Sequence, residues 1–231
     1  MDSSHPELTQ PDPCPGLPRL EIGQWSLEKH ELLRRYVDAS RAARGKWKNR
    51  AFIDLYCGPG RVSVRGKGVD TDGGALVAWR ASARTNSPFT HVLVADIDDD
   101  CAKACEARLK ALDAPATSLT GPANEVVHKL ASIVPRHGLH LAYLDPFNLE
   151  HLPFEIIETL SNFQNIDIVV HFSVMDLQRE IELDFDRDAS RLEAFAPGWR
   201  DHVEIKKRTK IQARADYVTY WLGLVPGCLT D

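Results

Sequence analysis

The sequence contains no Cys-x-x-Cys pair; its five cysteines, Cys14, Cys57, Cys101, Cys105 and Cys228, are odd in number and irregularly spaced. That pattern excludes a disulfide-stapled scaffold and the common zinc sites. His137-x-x-His140 has no further ligands nearby in sequence, so no metal is expected. No run reaches the roughly 18 consecutive apolar residues that span a bilayer. The start, Met-Asp-Ser-Ser-His-Pro, lacks the basic and apolar regions of a signal peptide. These absences predict a cytoplasmic protein without membrane contact. Strong basicity is missing too: a net charge of −5 argues against coating nucleic acid by bulk attraction and leaves only local basic patches to grip phosphates.

What is present suits one α/β domain with a sizeable core: 231 residues, 43% hydrophobic and 26% charged. Residues 1–24 carry Pro6, Pro11, Pro13, Pro15 and Pro18 with few large apolar side chains, and read as a flexible lead-in to a folded domain over 25–231. Ser26 suits the N-cap of a helix with Leu33, Tyr36, Val37 and Ala43 near one face, ending at Gly45. Five apolar runs read as strands: 51–57, 91–96, 116–120, 139–145 and 167–174. Between them lie one-sided helical patterns over 101–112, over 124–134 behind Asn124 as N-cap, and after Pro153. Strands alternating with such helices imply right-handed βαβ units, hence a Rossmann-like, doubly wound, mostly parallel sheet. Ligands of these sheets bind beyond the C-terminal strand ends.

The first strand ends in Asp54-Leu55-Tyr56-Cys57-Gly58-Pro59-Gly60. Gly58 and Gly60 let the backbone turn tightly and approach a ligand. A dinucleotide fingerprint fails, because Ser63 stands at the third glycine position; a P-loop fails, because five residues separate Gly60 from Gly66 and Gly68 follows Lys67. Asp-x-x-x-Gly-x-Gly after a first strand is instead the pattern of S-adenosylmethionine (SAM) dependent methyltransferases, with Asp54, Gly58 and Gly60 as cofactor-binding residues. A glycine turn serving only packing is the alternative.

The second strand ends at Asp96, whose carboxylate could accept hydrogen bonds from both ribose hydroxyls; Asp98 is second choice, with capping of the next helix favoured for Asp98 to Asp100. After the third strand, Asn124 could contact adenine or merely cap a helix. The fourth strand ends Leu144-Asp145-Pro146-Phe147-Asn148. This resembles the substrate loop of methyltransferases that modify exocyclic amines of nucleobases. The Asp145 carboxylate and Pro146 carbonyl would hold the amine protons, and Phe147 would stack on the base. An Asp-Pro turn with Phe147 in the core is the bland alternative.

Trp25 to Leu33, Phe52 to Arg61, Gly121 to Val126 and Leu144 to Phe147 together resemble the three-Cys-motif partner proteins, over about residues 25 to 180. The resemblance implies a class I methyltransferase-like fold and partnership with a radical-SAM-type protein bearing a three-cysteine motif. Pro122 stands where the family's acidic residue follows the third strand. The chain reaches Asp231 about where that fold enters its last two strands, so a sheet lacking the C-terminal hairpin, by truncation or variant closure, is expected.

Two basic clusters remain: Arg34, Arg35, Arg41, Arg44, Lys46, Lys48 and Arg50, and Lys206, Lys207, Arg208, Lys210 and Arg214. They could bind nucleic acid, although solvated helix faces are the commoner explanation. Tyr217, Val218, Trp221 and Leu222 form a stripe expected in a core, and Cys105 and Cys101 are expected to be buried. Three functions stay open: a SAM-dependent methyltransferase of an exocyclic amine in a nucleic acid or nucleotide, a non-catalytic partner module, and a nuclease using Asp96, Asp98 and Asp145.

Overall fold

A computed structural model describes residues 10–185, 187, 190–205 and 208–225. The chain forms two compact units: Met1–Leu144 with Phe163–Val169, and Asp145–Asn162 with Val170–Asp231.

The first unit is built on a five-stranded sheet, all parallel and flanked by helices. Its strands are β2 (Ala51–Asp54), β5 (His91–Asp96), β6 (Ala116–Thr120), β7 (His140–Leu144) and β8 (Ile166–Val170), in the order β6-β5-β2-β7-β8. These are the five runs of apolar, β-branched sequence. Strand order reverses between β2 and β7, and sheets of this kind bind ligands beyond the C-terminal strand ends beside such a reversal. β2 is buried at every position, as a central strand covered on both faces must be. Its neighbours pair in register, with Asp54 opposite Val94 of β5 and Tyr143 of β7.

A second sheet joins β1 (Leu20–Ile22), β3 (Arg61–Val64) and β4 (Val69–Asp72) in the order β1-β3-β4. Sequence periodicity does not foretell it, because each strand has only three or four residues. The glycine turn thus opens into an antiparallel β3–β4 hairpin, reversed through Gly66 and Gly68 at positive φ, before the helix begins. That helix, α3 (Gly74–Ala83), buries eight of its ten residues. A helix buried all round carries no amphipathic stripe to read.

The first-unit helices are α1 (Ser26–Ala39), α2 (Arg41–Arg44), α3, α4 (Asp99–Lys110), α5 (Ala123–Val126) and α6 (Leu130–Ile133). The helix expected to run from Ser26 to Gly45 breaks at Ser40, and its N-cap is Trp25. The helix expected over 124–134 is α5 and α6 joined by a 3-10 turn. Leu33 and Val37 of α1, Leu76 and Trp79 of α3, and Cys105 and Leu109 of α4 share one core with Phe52, Val92 and Val94. The Pro-rich stretch has no helix or strand before Leu20 among the described residues, yet from Asp12 it makes specific contacts. Arg108, fully buried, donates to both Asp12 carboxylate oxygens, at 2.9 and 3.0 Å, and to the carbonyls of Leu17, Pro18 and Pro59.

The second unit contains α7 (Phe154–Ser161), α8 (Val174–Phe185), α9 (Arg191–Phe195) and α10 (Lys210–Leu224). Its core stacks Phe195 on Trp221 with centroids 4.9 Å apart and packs Trp199 edge-on to Tyr217. The Tyr217–Trp221 stripe is therefore core. Among the described residues no strand follows Val170, and none of the helices is long and apolar enough to cross a membrane.

Candidate functional site

The loop after β2 is held by its own backbone and by its neighbours. Asp54, buried at the strand end, accepts from Tyr56 N at 3.0 Å. Cys57 N donates to Ala95 O at 2.9 Å, which ties the turn to β5. Gly58 and Gly60 have φ of 53° and 77°, the left-handed region where a side chain is strained. At Gly60 space decides as well: a Cβ would lie 2.8 Å from Leu76 Cδ1 and 3.1 Å from Cys105 Sγ. Gly60 O accepts from Gly73 N, and Pro59 O accepts from Arg108, so both faces of the turn are pinned.

Asp96 closes this group. Its Oδ2 accepts from Gly58 N at 2.9 Å and its Oδ1 from Asp98 N at 3.0 Å, while its carbonyl accepts from Gly121 N. Four sequence-chosen residues, Asp54, Gly58, Gly60 and Asp96, thus converge at the C-terminal edge of β2 and β5. Each carboxylate oxygen can accept a second hydrogen bond. Ile97, the next residue, is 74% exposed, leaving an apolar side chain in water beside that carboxylate. Asp98 is the N-cap of α4, accepting from Asp100 N and Cys101 N, so capping explains it.

Burial raises the ionisation point of the Cys57 thiol well above its usual value, with Cys105, Asp54 and Asp96 adding to the effect. Burial, then Asp54, raises that of Tyr56. Cys101 is pushed up to about 11, by burial and then by the carboxylates of Asp96, Asp98 and Asp100. None of these groups is primed as a nucleophile.

Asn124 does not cap a helix. Pro122 is the N-cap of α5, and Asn124 lies exposed in its first turn. Proline suits that place because the first N–H groups of a helix have no intrahelical acceptor and its φ of −58° is already helical.

In the second unit, Asp145 directly follows β7. Its side chain is 16% exposed, and its Oδ1 lies 3.1 Å from His171 Nδ1, on the residue that follows β8. Pro146 is buried and Phe147 is 93% exposed. The core placement of Phe147, the bland alternative, is thereby overturned. Asn148 Oδ1 is buried without a hydrogen-bond partner among the described residues. His171 escaped the sequence reading because it lies inside the apolar run 167–174, where only the true strand end, Val170, sets it apart.

The first basic cluster is largely committed within the protein. Arg34 pairs with Glu31 and Asp38, Arg35 pairs with Glu31, Arg44 is buried under carbonyls of Val37 and Ser87, and Arg50 holds the carbonyls of Trp47 and Pro88. In the second, Arg208 faces Asp216 at 3.5 Å and Arg214 bonds Gln178, while Lys206 and Lys207 lie outside the described residues.

No family model matches the chain, and no curated protein is similar to it at a significant level. Among solved structures, it is similar to a Legionella pneumophila protein of family DUF519, at 10% identity and a TM-score of 0.46, over 61% of this chain and 67% of that one.

Proposed function

We propose that the chain is a SAM-dependent methyltransferase acting on an exocyclic amine of a nucleic acid or nucleotide, a cytoplasmic member of the three-Cys-motif partner proteins. The observation that carries this reading is Phe147, a ring 93% exposed immediately after Asp145-Pro146 at a strand's C-terminal end. A phenyl ring held in water gains nothing from the fold; stacked on a base it gains roughly 1–3 kcal/mol. Next to it the Asp145 carboxylate and Pro146 carbonyl are two acceptors for the hydrogens of an NH2 group.

The loop after β2 supports the cofactor half. The half-buried Gly58 presents backbone without a side chain, Asp96 keeps acceptor capacity for a ribose diol, and the exposed Ile97 offers an apolar flank to a base. Bound there, SAM would supply a methyl group on a positive sulfur, open to direct displacement. The protein then needs no nucleophile of its own, which agrees with thiols raised in pKa by burial. Its task is orientation of the amine and acceptance of the amine's proton.

A second reading, a non-catalytic module working with a radical-SAM-type three-cysteine-motif protein, is favoured by Pro122 at the third strand end and by the hydrogen bond that Asp96 already makes to Gly58. Calorimetric titration with SAM is the first test: saturable binding is expected, and none up to millimolar cofactor rejects the enzyme. Incubation with methyl-labelled SAM and mixed RNA or DNA separates the two readings. Label transfer lost in Asp145→Ala supports the enzyme; binding without transfer supports the module.

A further inference from the structure

We infer that His171 is a positioning residue that orients the Asp145 carboxylate by donating Nδ1–H to its Oδ1; the inference rests on the amine-methyltransferase reading. The two groups are 3.1 Å apart, within hydrogen-bonding range, and both belong to the second unit. They come from the first residues beyond β7 and β8, so the parallel strands set their spacing independently of either loop's length. A carboxylate on a short side chain rotates freely unless something holds it. Asp145 must present its oxygens to a planar amine next to an aromatic ring, and an unrestrained χ2 would spread those acceptors over many directions. Bonding to imidazole fixes the rotamer, and it also fixes the imidazole: with Oδ1 as acceptor, the neutral ring carries its proton on Nδ1. Both side chains keep partial access to solvent, 29% for His171 and 16% for Asp145, as suits a pair beside a substrate more than a core contact.

The Nδ1–H tautomer is the minority form of a free imidazole, so it reports the bond directly. Proton–nitrogen correlation spectra of the full chain, with His171 assigned by the signals lost in His171→Asn, should show the Nδ1–H form in the wild type and the Nε2–H form in Asp145→Ala, which removes the acceptor. An Nε2–H tautomer in the wild type overturns the inference. With methyl-labelled SAM and total RNA as the probe, His171→Ala should slow transfer about tenfold, the size of one lost hydrogen bond to a charged group. His171→Asn, whose amide nitrogen can occupy the Nδ1 position, should restore most of the rate. An unchanged rate in His171→Ala also overturns it. If the wild type transfers no label, the methyltransferase reading fails, and the tautomer alone decides whether His171 orients Asp145.

Discussion

Arg61 follows the glycine turn, at the start of β3. It is 4% exposed and pairs at 2.7 Å with Asp72, itself fully buried and also 2.7 Å from Arg80. Burying ions is costly, so such a pair adds little net stability while intact, but removing one partner strands the other. Arg61→Ala is expected to lower unfolding free energy by about 3–5 kcal/mol in urea titration. A loss under about 1 kcal/mol would mean that Arg80 suffices for Asp72. Phe147 goes the other way: an aromatic residue after a strand is most often core, and of the two readings its sequence left open, its exposure excludes that one.

At the scale of elements, the carboxylates at the end of β5 and just beyond it divide into two jobs. Asp98 caps α4 and Asp96 braces the glycine turn. Asp98→Ala should therefore cost about 1 kcal/mol in thermal or chemical unfolding and leave SAM affinity unchanged. On the proposed methyltransferase reading, Asp96→Ala should abolish calorimetric SAM binding; equal affinities for the two variants would undo that division. The five strands of the main sheet and the α4 stripe were legible because their periodicities are long enough to count. The β3–β4 hairpin and α3 were not. Two four-residue strands give too little alternation, and α3, buried on almost every side, reads as a featureless apolar run. The 124–134 helix was misread because a proline two residues upstream starts it, and because it tightens into a 3-10 turn at Val127.

On the scale of the whole molecule, several carboxylates ionise more readily folded than unfolded. Glu31 is held at about 2, by hydrogen bonds from Arg34 and Arg35 that outweigh burial. In Asp12 and Glu106 burial pushes upward, yet the bonds from Arg108, and from Lys110 with Ser118 N, bring the net shift down. A depressed folded pKa contributes stability that is fully present above the unfolded value and disappears as pH falls through the folded one. Melting temperature should thus decline from about pH 4.5 toward pH 2. Glu31→Gln should flatten that decline; an unaltered slope would show that Glu31 titrates normally.

Composition and periodicity alone determined the α/β class, the parallel strands and the acids and glycines at their ends, because burial on both faces of a sheet leaves short apolar runs that alternate with one-sided helical patterns. The tertiary structure decided what those residues do. It joined Asp96 to Gly58, committed Arg61 and most of the first basic cluster to ion pairs and carbonyls, left Phe147 in water, and brought His171 to Asp145. The Asp96–Gly58 and His171–Asp145 contacts depend on which strand ends lie side by side, and that pairing is a long-range contact that local sequence does not encode.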